Sequence, residues 1–271
     1  MASPERVNIA YQARNVLGRT KLYMNWGLWD SAIDELDDAA LALVLRLGEL
    51  AGIGPSMKLL DVGFGFGDQL LDWCHHANLG RAEGLNVCPE QTAFARKRIA
   101  DAGLSERVKV QVGNAVQLPF GDASFDAVTA LECAFHFHTR ERFFREAKRV
   151  LHEGGRLVLA DFIGVENPGR AQRFAQGVAS RAWGFAPGSF CSTTEYRALL
   201  ESVGFREITI EQVTERVIPP GMRYARRRLH DADLRARMQL AARLTVASTL
   251  VLSNLLGDPL PGEYILVRAV R

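Results

Sequence analysis

The stretch Leu59-Leu60-Asp61-Val62-Gly63-Phe64-Gly65-Phe66-Gly67-Asp68 constrains this chain more than any other. An apolar run that ends in an acid and three alternating glycines reads as a buried strand feeding a tight turn, where the backbone comes close to a ligand. Glycine suits such a turn because it tolerates positive φ and presents no Cβ to an approaching group. A dinucleotide fingerprint needs G-x-G-x-x-G, whereas these glycines stand at 63, 65 and 67 and position 68 is Asp. That spacing disfavours a nicotinamide oxidoreductase. No Gly-Lys-Ser/Thr occurs either, which excludes a phosphate cradle of the P-loop kind.

At 271 residues, 48% hydrophobic and 24% charged, the chain can bury one large core, and one domain with insertions is expected. The 33 basic and 31 acidic side chains nearly cancel, so no nucleic-acid footprint is present. Cys74, Cys88, Cys133 and Cys191 form no C-x-x-C pair, and Met1-Ala2-Ser3-Pro4-Glu5-Arg6 has no apolar signal core. These features set the expectation of a reduced, cytoplasmic protein. The most apolar segment, Leu244 to Leu256, is shorter than the roughly 20 residues that a bilayer span needs, so no stable membrane insertion is expected.

Short apolar runs alternate with helical patterns along the chain. Ala39 to Leu50 reads as a helix ending near Gly52 and Gly54-Pro55. Strands are predicted over Met57 to Val62, Ala82 to Val87, Val108 to Val112, Phe125 to Leu131 and Arg156 to Phe162, with helices such as Pro89 to Ala102 and Arg140 to Leu151 between them. Parallel strands need crossover connections, so the alternation predicts an α/β fold, a parallel sheet with helices on both faces. Phe205 to Val213 and Tyr264 to Val270 complete seven strands. About 50 residues separate these two, far beyond ordinary loops of about 4–6. That insertion, roughly Thr214 to Gly262, contains the basic run Arg223, Arg226, Arg227 and Arg228 and an apolar helical segment from Leu234 to Leu256.

The glycine turn resembles the first motif of class I S-adenosylmethionine-dependent methyltransferases, where it runs under the methionine part of the cofactor. Gly84-Leu85-Asn86-Val87-Cys88-Pro89-Glu90-Gln91 is similar to the family's ribose-binding element, with Asn86 in place of the usual acid and Gln91 as a second contact. Gly113-Asn114-Ala115-Val116-Gln117-Leu118-Pro119-Phe120 resembles the element bordering the adenine, again with Asn114 for Asp. Ala130-Leu131-Glu132-Cys133-Ala134-Phe135-His136 is similar to the A-L-E-x-x-x-H element of small-molecule members, and Glu146 to Leu157 matches the family's next helix, turn and strand. Tyr23-Met24-Asn25-Trp26-Gly27-Leu28-Trp29 looks like the N-x-G-x-W segment that closes over the cofactor. Residues 57 to 162 carry the resemblance in order.

The resemblance implies a Rossmann-like, mostly parallel seven-stranded sheet, with an N-terminal helical lid at 1–56 and a cofactor-binding core at 57–162. Substrate caps would lie at 163–192 and 214–262, and the last two strands at 205–213 and 263–271. It assigns Asp61, Gly63, Gly65, Gly67, Asn86, Gln91, Asn114, Ala115, Leu131 and Tyr23 to S-adenosylmethionine and its product S-adenosylhomocysteine. Trp26, Trp29, Glu132 and His138 would meet the substrate. His136 fits a general base, since an ordinary imidazole pKa suits proton transfer at neutral pH, and equally a structural histidine. Glu132 could contact substrate or bind backbone amides. The aromatics at 23 to 29 fit either a sulfonium or a hydrophobic staple. The arginine run could bind a phosphate or form a solvated helix face. The apolar segment suits a packed lid or a homodimer helix.

No adjacent Asp-Asn pair of the metal-dependent catechol type occurs, so no metal is expected. The reaction implied is methyl transfer to a small hydrophobic metabolite, with oxygen taken first. Carbon or nitrogen acceptors, including a prenyl diphosphate or terpenoid, remain alternatives, as does a cyclase or isomerase on the same fold that binds the cofactor without transferring methyl.

Overall fold

The computed structural model describes residues 12–256 and 262–271. The chain's first residues and the end of the long insertion lie outside the described residues. Seven strands form one sheet in the order β3-β2-β1-β4-β5-β7-β6. These are β1 (Lys58–Val62), β2 (Arg81–Asn86), β3 (Val108–Val112), β4 (Phe125–Leu131), β5 (Leu151–Ile163), β6 (Arg206–Gln212) and β7 (Glu263–Val270). The first five pair in parallel, and β7 runs antiparallel between β5 and β6. The strand order reverses between β1 and β4, which opens a crevice at their carboxyl ends where open α/β sheets bind ligands.

Alternation along the buried strands sends neighbouring side chains to opposite faces. Leu59 and Val158 enter one core with helices α1 (Leu36–Ala51), α2 (Asp68–His76) and α3 (Pro89–Asp101). Leu60, Val62, Leu157 and Leu159 enter the other with α4 (Arg140–Val150), while Tyr196 and Leu200 come to it from α6 (Thr193–Val203). Helix α1 stops at Gly52, which takes a left-handed φ of 74°, the conformation that favours glycine past a helix end. Gly48 lets α1 approach α2 closely enough for the Trp73 indole N–H to reach the Val44 carbonyl at 2.8 Å. Helix α5 (Arg170–Trp183) follows β5 and precedes α6 in the chain.

The insertion holds three helices, α7 (Thr214–Arg228), α8 (Ala232–Arg237) and α9 (Leu240–Leu256). Two sequence expectations need correction here. The segment from Leu234 to Leu256 is not one helix, because Met238 is extended and breaks it. Asn15 of the N-terminal segment captures the next residue from both sides, accepting from the Gln239 amide at 2.9 Å and donating to its side-chain oxygen at 3.0 Å. The arginine run is also not a uniformly solvated face. Arg228 is buried, paired with Asp231 and Asp233 at 2.9 and 2.6 Å, and donates to the Leu17 carbonyl. Arg237 donates to the carbonyls of Arg14 and Gly18.

Arginines of the insertion thus bind the N-terminal segment to it. Ala242, Val246 and Leu250 bury one face of α9, while Leu240, Leu244 and Val251 stay exposed. Among the described residues no helix is long and apolar enough to cross a membrane.

Candidate active site

A cavity of about 640 Å³ opens at the crevice between β1 and β4, within the roughly 300–1,000 Å³ usual for small-molecule sites. One half is built from the ends of the first strands. Gly63 and Gly65 hold φ of 77° and 57°, and the Gly63 amide donates to the Leu85 carbonyl at 2.7 Å, pinning the turn against β2. A Cβ on Gly65 would lie 2.8 Å from the Met24 methyl, so the N-terminal segment packs directly over the turn. Asn86 donates to the Gln91 side chain at 2.8 Å, and both line the cavity. Asn114 accepts from the Val116 amide at 3.1 Å, a side-chain turn that presents Ala115 to the same wall.

The other half is aromatic. Phe135, Phe162 and Phe185 pack with ring centroids 4.3 to 6.4 Å apart, and Phe190 extends the wall at 5.3 Å from Phe185. Trp183 of α5 and Thr249 of α9 meet over it through an indole N–H bond of 3.0 Å. His136 ends a 3-10 turn, Ala134–His136, that follows β4. Its Nδ1 sits 2.9 Å from the Gly184 carbonyl oxygen, and burial pushes its pKa down to about 4. His138 is exposed and also lines the cavity.

Three carboxylates gather beside the cavity, Asp61 and Asp161 fully buried and Glu132 half-buried at its wall. Asp61 accepts from the Thr129 hydroxyl at 2.8 Å, and burial lifts its pKa to about 7, with one oxygen left without a hydrogen bond. Glu132 accepts from the Trp26 amide at 2.8 Å and the Tyr264 hydroxyl at 2.7 Å, and burial raises it to about 8. Asp161 pairs with buried Arg140 at 2.8 Å.

Twelve of the sequence-chosen residues meet at the cavity wall: Tyr23, Trp26, Gly63, Gly65, Asn86, Gln91, Asn114, Ala115, Leu131, Glu132, His136 and His138. Three do not. Asp61 is fully buried beneath the turn, Gly67 caps α2 behind it, and Trp29 packs with Leu36, Ala39 and Tyr224 away from the cavity. The Tyr23 hydroxyl is committed to Asp72, and burial raises its pKa. Sequence reasoning missed Met24, which lies inside the N-terminal motif but was not singled out, and Trp183, Phe185 and Phe190, which come from a segment with no motif. The three aromatics between Trp183 and Phe190 were the available signal. None of the arginine run is among the residues that line the cavity. Among the described residues no group of three or more His, Cys, Asp or Glu side chains is placed to hold a metal ion.

The mixed seven-stranded sheet with a glycine turn at its switch point is the Rossmann-like architecture expected for class I methyltransferases. Residues 60–159 match the family model described as a methyltransferase domain. The chain is 31% identical over 218 residues to erythromycin 3''-O-methyltransferase of Saccharopolyspora erythraea, covering 79% of this chain and 71% of that protein. It is 32% identical over 204 residues to 27-O-demethylrifamycin SV methyltransferase of Amycolatopsis mediterranei, covering 75% and 74%. This chain belongs to the S-adenosylmethionine-dependent methyltransferases.

Two solved structures share the fold at lower identity. The cyclase SpnF superposes with a TM-score of 0.73 at 24% identity over 92% of this chain and 87% of that one. Geranyl diphosphate C-methyltransferase from Streptomyces coelicolor A3(2), in complex with Mg2+, geranyl diphosphate and S-adenosylhomocysteine, gives 0.71 at 20% identity over 100% and 99%.

The residues present fit the cofactor. The backbone of Gly63 and Gly65 is bare of Cβ where the cavity wall passes, and the amides of Asn86, Gln91 and Asn114 offer donors and acceptors on the same side. Gly63→Ala tests the turn, because its Cβ would fall 2.6 Å from the Cys133 sulfur at a φ of 77°. We expect a loss of about 1–3 kcal/mol in stability from strain and overpacking. Affinity for S-adenosylmethionine should fall at least about tenfold by calorimetry, since a displaced turn no longer matches the ligand. Unchanged affinity would contradict this placement of the turn.

Proposed function

We propose that this methyltransferase moves the methyl of S-adenosylmethionine to a hydroxyl oxygen of an uncharged, hydrophobic natural product, with His136 taking the hydroxyl proton. The observation that carries the reading is the contact of His136 Nδ1 with the Gly184 carbonyl. A carbonyl can only accept, so Nδ1 bears the proton and Nε2 is the basic nitrogen of the ring. Burial holds its pKa near 4, which keeps the imidazole neutral at physiological pH, as a base must be, while making it a weaker proton acceptor than an ordinary imidazole. The cofactor supplies a methyl already activated on a sulfonium. The chain's part is to bring the acceptor oxygen into line, exclude water with the Phe135, Phe162, Phe185 and Phe190 wall, and accept the proton.

An uncharged acceptor suits a cavity whose described lining includes no lysine and only Arg142 as arginine. A diphosphate is better matched by several forked donors. The S. erythraea relative is by name a 3''-O-methyltransferase, and both relatives are named for natural products. Competition between a hydrophobic alcohol and its diphosphate ester tests the acceptor class. The alcohol should bind at least about tenfold more tightly, given the cost of burying an unpaired anion, and the reverse order would favour the prenyl-diphosphate alternative.

The pH profile gives a second expectation. The folded-state pKa of His136 is depressed, so its neutral form contributes stability above the ordinary imidazole value that is lost as pH falls toward about 4. The acid limb of kcat/KM due to this base should therefore lie near 4 and not at the usual imidazole value of about 6.5. A limb at the ordinary value would contradict a buried base.

A further inference from the structure

Glu132 follows β4 directly and holds φ of 49°, a left-handed conformation that costs a residue with a side chain free energy and that collects at functional positions. Its Oε1 accepts two hydrogen bonds from distant parts of the chain, the Trp26 amide and the Tyr264 phenol of β7. Met24, two residues before Trp26, is the side chain that covers the Gly65 turn. The end of β4, the last strand and the segment over the cofactor half therefore meet at one carboxyl group. We propose that Glu132 is a clasp that couples closure of the N-terminal segment to the charge on the cofactor's sulfur, gripping Trp26 while the sulfonium is present and loosening when the neutral thioether remains.

An ionised carboxylate accepts an N–H bond about twice as strongly as a neutral acid does. Burial holds Glu132 up at about 8, so at neutral pH the carboxyl is mostly protonated before any ligand binds. The groups facing it reinforce this. Asp161 of β5 disfavours a second negative charge, the Cys133 thiol and Tyr264 phenol are both held in their neutral forms, and buried Arg140 is already paired with Asp161. A cation entering the same cavity favours the carboxylate and strengthens its bond to Trp26. Methyl transfer removes that cation. Glu132 then recovers a proton from solvent, and the bond weakens as the product is ready to leave. Glu132 is in this sense a positioning residue, and the inference rests on the cofactor rather than on the proposed acceptor.

Calorimetry at about pH 7.5 in two buffers of different ionisation enthalpy counts the protons exchanged on binding. The ligands are S-adenosylmethionine, S-adenosylhomocysteine and sinefungin, which carries an ammonium in place of the sulfonium. Both cationic ligands should release a larger fraction of a proton than the thioether. In Glu132→Gln that difference should vanish, and the preference for S-adenosylmethionine over S-adenosylhomocysteine should fall about tenfold. Tryptic cleavage at Arg19 and Lys21 should be slower with S-adenosylmethionine than with the product in the wild type and equal in the variant.

Equal proton release by the ligands in the wild type overturns the proposal whether or not the variant folds. A difference that persists in Glu132→Gln also overturns it, because the proton then comes from a different group. Failure of all three ligands to bind would instead count against the cofactor site.

Discussion

Replacing His136 with Asn is expected to lower kcat by about 10²–10⁴, the usual contribution of a positioned general base, while S-adenosylmethionine binding stays near wild type. Asparagine keeps a side-chain N–H that can reach the Gly184 carbonyl, which His136 Nδ1 now approaches at 2.9 Å. The substitution thus removes the basic nitrogen and spares the contact that holds the turn. A structural histidine would show the opposite pattern, with little change in kcat once that contact is preserved. Single-turnover rates separate chemistry from binding. The residual rate of the variant should climb with pH as more of the acceptor ionises without help.

Arg140→Met should cost about 3–5 kcal/mol, because it strands a buried carboxylate. Arg140 is 5% exposed and Asp161 fully buried, and the guanidinium also donates to the carbonyls of Phe162 and Ser189. Tyr196 adds its hydroxyl to the same Asp161 oxygen at 3.0 Å. Thermal unfolding should show a Tm lower by roughly ten degrees. The double variant Arg140→Met with Asp161→Asn should recover part of the loss, since it leaves no unpaired charge. Ser189 in turn donates to the Phe135 carbonyl at 2.6 Å, so Arg140 anchors the segment that carries Phe185 and Phe190. The single variant should therefore raise KM for the acceptor more than for the cofactor. A Tm within about two degrees of wild type would mean that Asp161 takes a proton at little cost, which is the alternative for a buried acid left alone.

The sheet was legible because buried parallel strands are short apolar runs with polar crossovers, and Phe125 to Leu131 was read with the bounds the structure has. The glycines at 63, 65 and 67 were legible for a different reason, since all three take positive φ that only glycine adopts freely. The insertion was harder. Helix α7 runs through Pro219 and Pro220, residues that argue against a helix interior, and Gly221 lets it press within contact of the Trp26 ring. Asp231 and Asp233 stood close enough in sequence to pair with Arg228, but nothing local reveals that the Leu17 carbonyl, from the far end of the chain, joins them and buries it.

The cofactor half was readable from contiguous motifs, whereas the aromatic wall joins Phe135 to Phe162, Phe185 and Phe190 across three connections. Trp29 shows the converse error. Its place in the N-terminal motif suggested the cavity, but its indole N–H turns to the Trp26 carbonyl and its ring packs on Tyr224.

The most direct measurement incubates the protein with S-adenosylmethionine labelled in its methyl group and hydroxyl-bearing hydrophobic natural products, then counts S-adenosylhomocysteine formed and locates the label by NMR. One labelled methyl on an acceptor oxygen for each S-adenosylhomocysteine released is the predicted result. Label on carbon or nitrogen, or a rearranged product formed without label, would contradict O-methyl transfer by this site.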